Sequence, residues 1–119
     1  MEVGQKYSFE INGDHPNPYF IVCKIDKDHG KEIISISIAG LKFINPHSET
    51  GFGHAISHAP VELKALSNSP IKLVGENEQL PDYEEGYSTW REAFESGQGG
   101  YFTISPDKIV EYIVSSILQ

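Results

Sequence analysis

The chain has 119 residues, 39% of them hydrophobic and 22% charged, which suits a single domain over residues 1–119 and excludes a disordered chain. It has no apolar run of 18 residues, no signal-peptide pattern at its start and only one cysteine, so we expect a soluble cytoplasmic protein with no membrane partner. Its net charge of −8 disfavours a nucleic-acid partner, because binding a polyanion depends on clustered Lys and Arg.

The first third of the chain predicts three β-strands. Residues 6–11 alternate polar and apolar side chains, and residues 19–25 are largely apolar on both faces. Residues 33–38 read Ile-Ile-Ser-Ile-Ser-Ile, so alternate isoleucines share one face while Ser35 and Ser37 lie on the other. Turn residues separate the three strands, which indicates an antiparallel meander.

Residues 45–59 predict a long loop that contains three histidines. His47, His54 and His58 have the spacing H-x6-H-x3-H, and imidazole is a common ligand of zinc and similar metals. The catalytic zinc helix needs a Glu directly after the first histidine of its pair, and Ala55 stands there instead. A small metal-binding protein or enzyme that uses these three histidines is therefore the alternative hypothesis for function.

Short elements follow this loop. Pro60 is typical of the first turn of a helix, and residues 71–74 form a short strand. A further strand is predicted at residues 101–104, and Ser105 with Pro106 begins a C-terminal helix whose isoleucines repeat every four residues.

An amphipathic helix before residue 97 is the clearest helical pattern. Asp82 and Glu85 predict a capping box at its start, and Gly97 predicts its end. Four aromatic rings fall on one face of this helix, at Tyr83, Tyr87, Trp90 and Phe94. These rings are typical of a helix packed on a core. Arg91 is expected to pair with Glu95, four residues further on.

The order of these elements favours an α+β fold. Strands are clustered early and helices late, so we expect an antiparallel meander or a partly open small barrel packed with two C-terminal helices.

The negative charge is concentrated in the last part of the chain. Residues 1–75 carry eight acids and seven lysines, a charge of −1, whereas residues 76–119 carry nine acids and two basic residues, a charge of −7. We predict that a basic protein, or a second copy of this chain, binds there. The predicted partner-binding residues are Tyr83, Glu84, Glu85, Tyr87, Glu92 and Glu95.

No catalytic residue or cofactor is predicted. A nucleophilic serine needs a constrained turn such as G-x-S-x-G, which the chain lacks. The glycine-rich run at residues 97–100 precedes a predicted strand rather than a helix, so it indicates a tight turn and not a phosphate-binding loop. The sequence thus favours a non-enzymatic protein-binding module.

The segment Gly-Tyr-Ser-Thr-Trp-Arg-Glu-Ala-Phe at residues 86–94, with Gly-Tyr-Phe-Thr-Ile-Ser at residues 100–105, resembles the end of a group of small uncharacterised bacterial proteins. The resemblance extends back to the His-Ala-Pro segment at residues 58–60 and implies no activity and no site residues. Some small acidic bacterial proteins are immunity proteins that neutralise a toxin, and the size and charge of this chain are compatible with such a role.

Overall fold

The computed structural model describes residues 1–119 and shows an α+β fold, as the order of elements predicts. The elements are β1 (Lys6–Ser8), β2 (Tyr19–Asp28), β3 (Lys31–Ala39), β4 (Phe43–Ile44), β5 (Phe52–Gly53), β6 (Ile56–Glu62), α1 (Leu63–Ser67), β7 (Lys72–Gly75), α2 (Glu84–Glu95) and α3 (Pro106–Ile117). Five strands form an open antiparallel sheet in the order β6-β3-β2-β1-β7, and β4 pairs with β5 in a second, small sheet.

The main core lies on one face of the five-stranded sheet. The alternate isoleucines of β3, Ile34, Ile36 and Ile38, are fully buried there, as the period of two predicts. Ile109 and Val110 of α3 pack in the same cluster of 14 buried residues, so α3 covers this face. Burial of apolar surface on this scale is the main term that stabilises the fold.

The opposite face of the sheet is also buried in part, and it combines polar side chains with the apolar Ile21, Cys23 and Ile33. Ser35 has no exposed surface and Ser37 is 5% exposed, although their pattern in β3 is typical of a strand with one solvated face. The cover on this side is α2, which packs against β6 and reaches β2 through Tyr87. The sheet therefore lies between two helical layers of different chemistry.

The predicted loop at residues 45–59 and the helix at Pro60 are both wrong in part. The segment contains β5 and the first four residues of β6, and Pro60 lies in β6 opposite Ser35. The carbonyl of Pro60 accepts a hydrogen bond from the N–H of Phe102 at 2.8 Å, so its missing N–H lies on the outer edge of the sheet and removes no bond to β3. The helix begins later, at Leu63.

The predicted strand at residues 101–104 is a single parallel bridge between Phe102 and Val61. Phe102 accepts a hydrogen bond from the N–H of Glu62 at 2.9 Å as well as donating to Pro60. This contact satisfies part of the outer edge of β6, which would otherwise be open to pairing with another chain.

The ends of the two long helices test the predicted capping signals. The capping box is not formed, because Tyr83 is the N-cap of α2 and no side chain caps it. The predicted end is confirmed: Gly97 has φ +80°, and the N–H of Gln98 bonds the carbonyl of Ala93 at 2.8 Å, which is the Schellman arrangement. Ser105 is the N-cap of α3, as predicted.

Gly86 sets the distance between α2 and the sheet. A Cβ at this position would lie 2.9 Å from the Cβ of His58 in β6, closer than real side chains allow. The helix can approach β6 this closely only because residue 86 has no side chain.

Replacing Gly86 with Ala should therefore destabilise the protein, although Ala normally stabilises a helix interior by about 1 kcal/mol relative to Gly. The clash is with the Cβ of His58, which cannot move away without a shift of the backbone. We therefore expect a net loss of about 1–3 kcal/mol in the free energy of unfolding, measured by urea denaturation.

Gly100→Ala is the matched control, since a Cβ at Gly100 meets no atom within 4 Å. This variant should unfold within about 0.5 kcal/mol of the wild type. A stabilised Gly86→Ala protein would contradict the close packing of α2 on β6.

Candidate functional site

The aromatic stripe of α2 is a continuous row of ring contacts. The ring centroids of Tyr83 and Tyr87 are 6.2 Å apart, those of Tyr87 and Trp90 5.8 Å, and those of Trp90 and Phe94 5.0 Å. None of the four residues is fully buried, so the stripe packs on the sheet at the border of the core and does not enter it.

A hydrogen bond from Tyr87 to Asp26 anchors α2 to the central strand of the sheet, β2. The hydroxyl of Tyr87 donates to the carboxylate of Asp26 in β2, at 2.9 Å to Oδ2 and 3.1 Å to Oδ1. Burial, followed by this bond and the charge of Asp26, raises the pKa of Tyr87 to about 12, so the phenol stays protonated and remains a donor.

Arg91 lies one turn further along α2 and contacts two carboxylates. Its Nε donates to Oε1 of Glu95 at 2.7 Å, which confirms the predicted pair, and its Nη1 lies 3.7 Å from Oδ1 of Asp26. The Asp26 side chain is only 17% exposed, so Tyr87 and Arg91 together offset the cost of placing a carboxylate between helix and sheet.

His58 forms the second polar contact between these layers. Its Nε2 shares a hydrogen bond of 2.9 Å with Oγ of Ser35, and its ring lies 5.8 Å from the rings of both Tyr87 and Trp90. Burial lowers the pKa of His58 to about 4, and the charge of Asp26 opposes this shift only in part. The imidazole is therefore neutral at neutral pH.

A histidine and a serine are hydrogen-bonded beneath α2, as they are in many hydrolases, but the serine is not accessible to a substrate. Ser35, the hydroxyl next to His58, has no exposed surface. Cys23 is 2% exposed, and burial raises the pKa of its thiol to about 11, so it is a protonated and inaccessible thiol. These groups pack the helix against the sheet and offer no accessible nucleophile.

The three predicted metal ligands have separate partners. His47 is exposed and its backbone N–H donates to Asn45, whereas Nδ1 of His54 bonds the carbonyl of Leu41 and His58 bonds Ser35. No group of three or more His, Cys, Asp and Glu side chains in the protein is arranged to hold a metal ion. The metal hypothesis gains no support from this placement.

The predicted partner-binding residues divide between two sides of α2. Tyr83 and Tyr87 face the sheet and are half-buried, and the remaining four are exposed on the other side: Glu84, Glu85, Glu92 and Glu95. Of these, only Glu95 is part of an ion pair. The exposed face of the helix is therefore a row of carboxylates with little local neutralisation, which we call the acidic face.

An open cleft of about 560 Å³ lies between α2 and β6, next to the acidic face. Ser57 and His58 contribute from β6, and Asp82 lies at the N-terminal end of α2. Glu85, together with Asp82, gives the cleft a charged wall, and Trp90 gives it an aromatic wall. Unlike the sheet face beneath α2, this cleft is open to solvent and can receive a side chain from another molecule.

No protein family, curated protein or solved structure matches the chain with significant similarity. The resemblance to small bacterial proteins therefore stays a prediction. None of the helices is both long and apolar enough to cross a membrane.

Sequence reasoning missed the polar layer beneath α2. Asp26 and Tyr87 are 61 residues apart, so no local pattern pairs them. The available signal was the alternation in β3: two serines on one face of a central strand indicate that a polar partner must satisfy them if that face is covered. Every buried side-chain nitrogen and oxygen does have a partner.

The pKa of His58 predicts how stability depends on pH. The folded protein keeps His58 neutral down to about pH 4, whereas its ordinary pKa is 6.5, so the unfolded chain binds more protons between these values. This contribution to stability is therefore complete above pH 6.5 and is lost as the pH falls towards 4. Gln at position 58 can keep a hydrogen bond to Ser35 but cannot titrate.

We expect the urea midpoint of the wild type to fall more than that of His58→Gln between pH 7 and pH 4.5. His47→Gln, which changes an exposed histidine, should follow the wild type. An identical pH dependence in all three proteins would show that His58 is not held neutral by the fold.

Proposed function

We propose that this protein is a non-enzymatic binding module that docks a basic protein on the acidic face of α2. The observation that carries the proposal is the position of Arg91, the only basic residue of α2. It is bound to Glu95 at 2.7 Å and lies 3.7 Å from the largely buried carboxylate of Asp26, so its charge is shared between Glu95 and the helix–sheet junction.

The other three glutamates of the acidic face, Glu84, Glu85 and Glu92, are exposed and form no ion pair. Exposed negative charges make the local electrostatic potential more negative, which steers a positively charged protein to the surface and speeds its association. Because these charges are solvated, the interaction should weaken as salt screens them.

The attachment of α2 supports a preorganised binding surface. Tyr87 holds the helix to β2, and the indole N–H of Trp90 donates to the carbonyl of Gly100 at 2.6 Å. A helix fixed in this way presents its carboxylates on a backbone that needs no ordering when the partner binds. A basic toxin neutralised by an immunity protein is one partner with the required charge.

The test compares two variants that remove the same charge from different surfaces. The acidic-face variant is Glu84→Gln, Glu85→Gln and Glu92→Gln, which leaves Glu95 to hold Arg91. The control changes three exposed acids elsewhere, by Glu10→Gln, Glu49→Gln and Glu111→Gln. Both variants have a net charge of −5, three less negative than the wild type at −8.

Each protein is immobilised, exposed to an extract of its source organism at low and high salt, and the retained proteins are identified by mass spectrometry. Wild type and control should retain the same basic protein at low salt, with at least about tenfold less retained by the acidic-face variant. Equal retention by both variants would indicate only non-specific charge attraction, and no retention by the wild type would also contradict the proposal.

A further inference from the structure

We infer that the cleft between α2 and β6 receives an arginine side chain of the basic partner. This inference rests on the proposed function and adds the chemical group that the partner inserts. The cleft has a volume of about 560 Å³ and is lined by Ser57, His58, Asp82, Glu85, Thr89 and Trp90.

The charge of the cleft is complementary to a cation. Asp82 and Glu85 are exposed, and neither is part of an ion pair. His58, the one basic residue that lines the cleft, does not add a positive charge at neutral pH because burial lowers its pKa to about 4. Both carboxylates are therefore free to pair with a group from outside.

The number of oxygen acceptors favours arginine over lysine. Two residues with carboxylates, Asp82 and Glu85, and two with hydroxyls, Ser57 and Thr89, line the same space. A guanidinium has five N–H donors in a planar fork, whereas an ammonium has three and is more strongly hydrated. An arginine can bond several of these acceptors at once.

The aromatic wall of the cleft is held in place before binding. The Trp90 indole donates to the carbonyl of Gly100 at 2.6 Å, and its ring stacks on Phe94 with centroids 5.0 Å apart. A fixed indole offers a surface against which the stem and the planar head of an arginine can pack. Gly86 also lines the cleft, and its lack of a side chain lets this wall lie close to His58.

Trp90 also supplies the test, because it is the only tryptophan in the chain. The probe is the peptide acetyl-Gly-Arg-Gly-amide, and the matched control peptide carries citrulline, which has nearly the same shape but no charge. We expect a saturable change in tryptophan emission with the arginine peptide and at least about tenfold weaker binding of the citrulline peptide.

Two pairs of substitutions test whether the peptide binds in the cleft or elsewhere on α2. Asp82→Asn with Glu85→Gln should weaken binding of the arginine peptide at least about tenfold, because both negative charges of the cleft are lost. Glu84→Gln with Glu92→Gln removes two carboxylates of α2 that do not line the cleft, and should change the affinity less than about threefold.

The outcomes separate this inference from the proposed function. If the arginine peptide gives no saturable change, or the two pairs of substitutions have equal effects, the cleft is not the arginine site. The proposed function would still be supported if the acidic-face variant failed to retain the basic protein and the control variant retained it. Equal binding of the arginine and citrulline peptides would also overturn the inference, since charge would then play no part.

Discussion

The hydrogen bond between Tyr87 and Asp26 is the contact on which the arrangement of this molecule depends. It joins the first half of α2 to the central strand β2 across 61 residues of sequence, over a sheet face that carries polar side chains. A carboxylate and a fully buried serine in such a place are costly unless each is bonded. Tyr87 and Arg91 bind Asp26, and His58 shares a hydrogen bond with Ser35, so the second face of the sheet can be covered by a helix.

The same attachment determines which groups remain for a partner. Because its aromatic rings and its only arginine lie towards the sheet, the charged groups that α2 exposes to solvent are the carboxylates of the acidic face. In contrast to the exposed carboxylates, the serine, cysteine and histidine side chains beneath α2 are not available to a partner. Ser35 and Cys23 are buried, and His58 is bonded to Ser35, so these groups belong to the contact between helix and sheet.

Elements with a clear hydrophobic period or a local capping residue could be predicted from the sequence, because nearby residues alone determine them. The alternate isoleucines of β3, the end of α2 at Gly97 and the start of α3 at Ser105 are where their patterns place them. Pro60 was misassigned because proline is typical of both a first helical turn and an edge strand, and only the contact with Phe102 distinguishes the two. The glutamates of the acidic face were readable as a charge pattern, whereas the role of Asp26 depends on a contact that no local pattern contains.

A double-mutant cycle on Tyr87 and Asp26 tests the central claim most directly. Tyr87→Phe removes the donor, Asp26→Asn removes the charge of the acceptor, and the free energies of unfolding of both variants are compared with that of the double variant. If this contact anchors α2, the coupling energy should be about 1 kcal/mol or more, as for a hydrogen bond to a charged group. Effects that add to within about 0.3 kcal/mol would show that α2 is held to the sheet by other contacts.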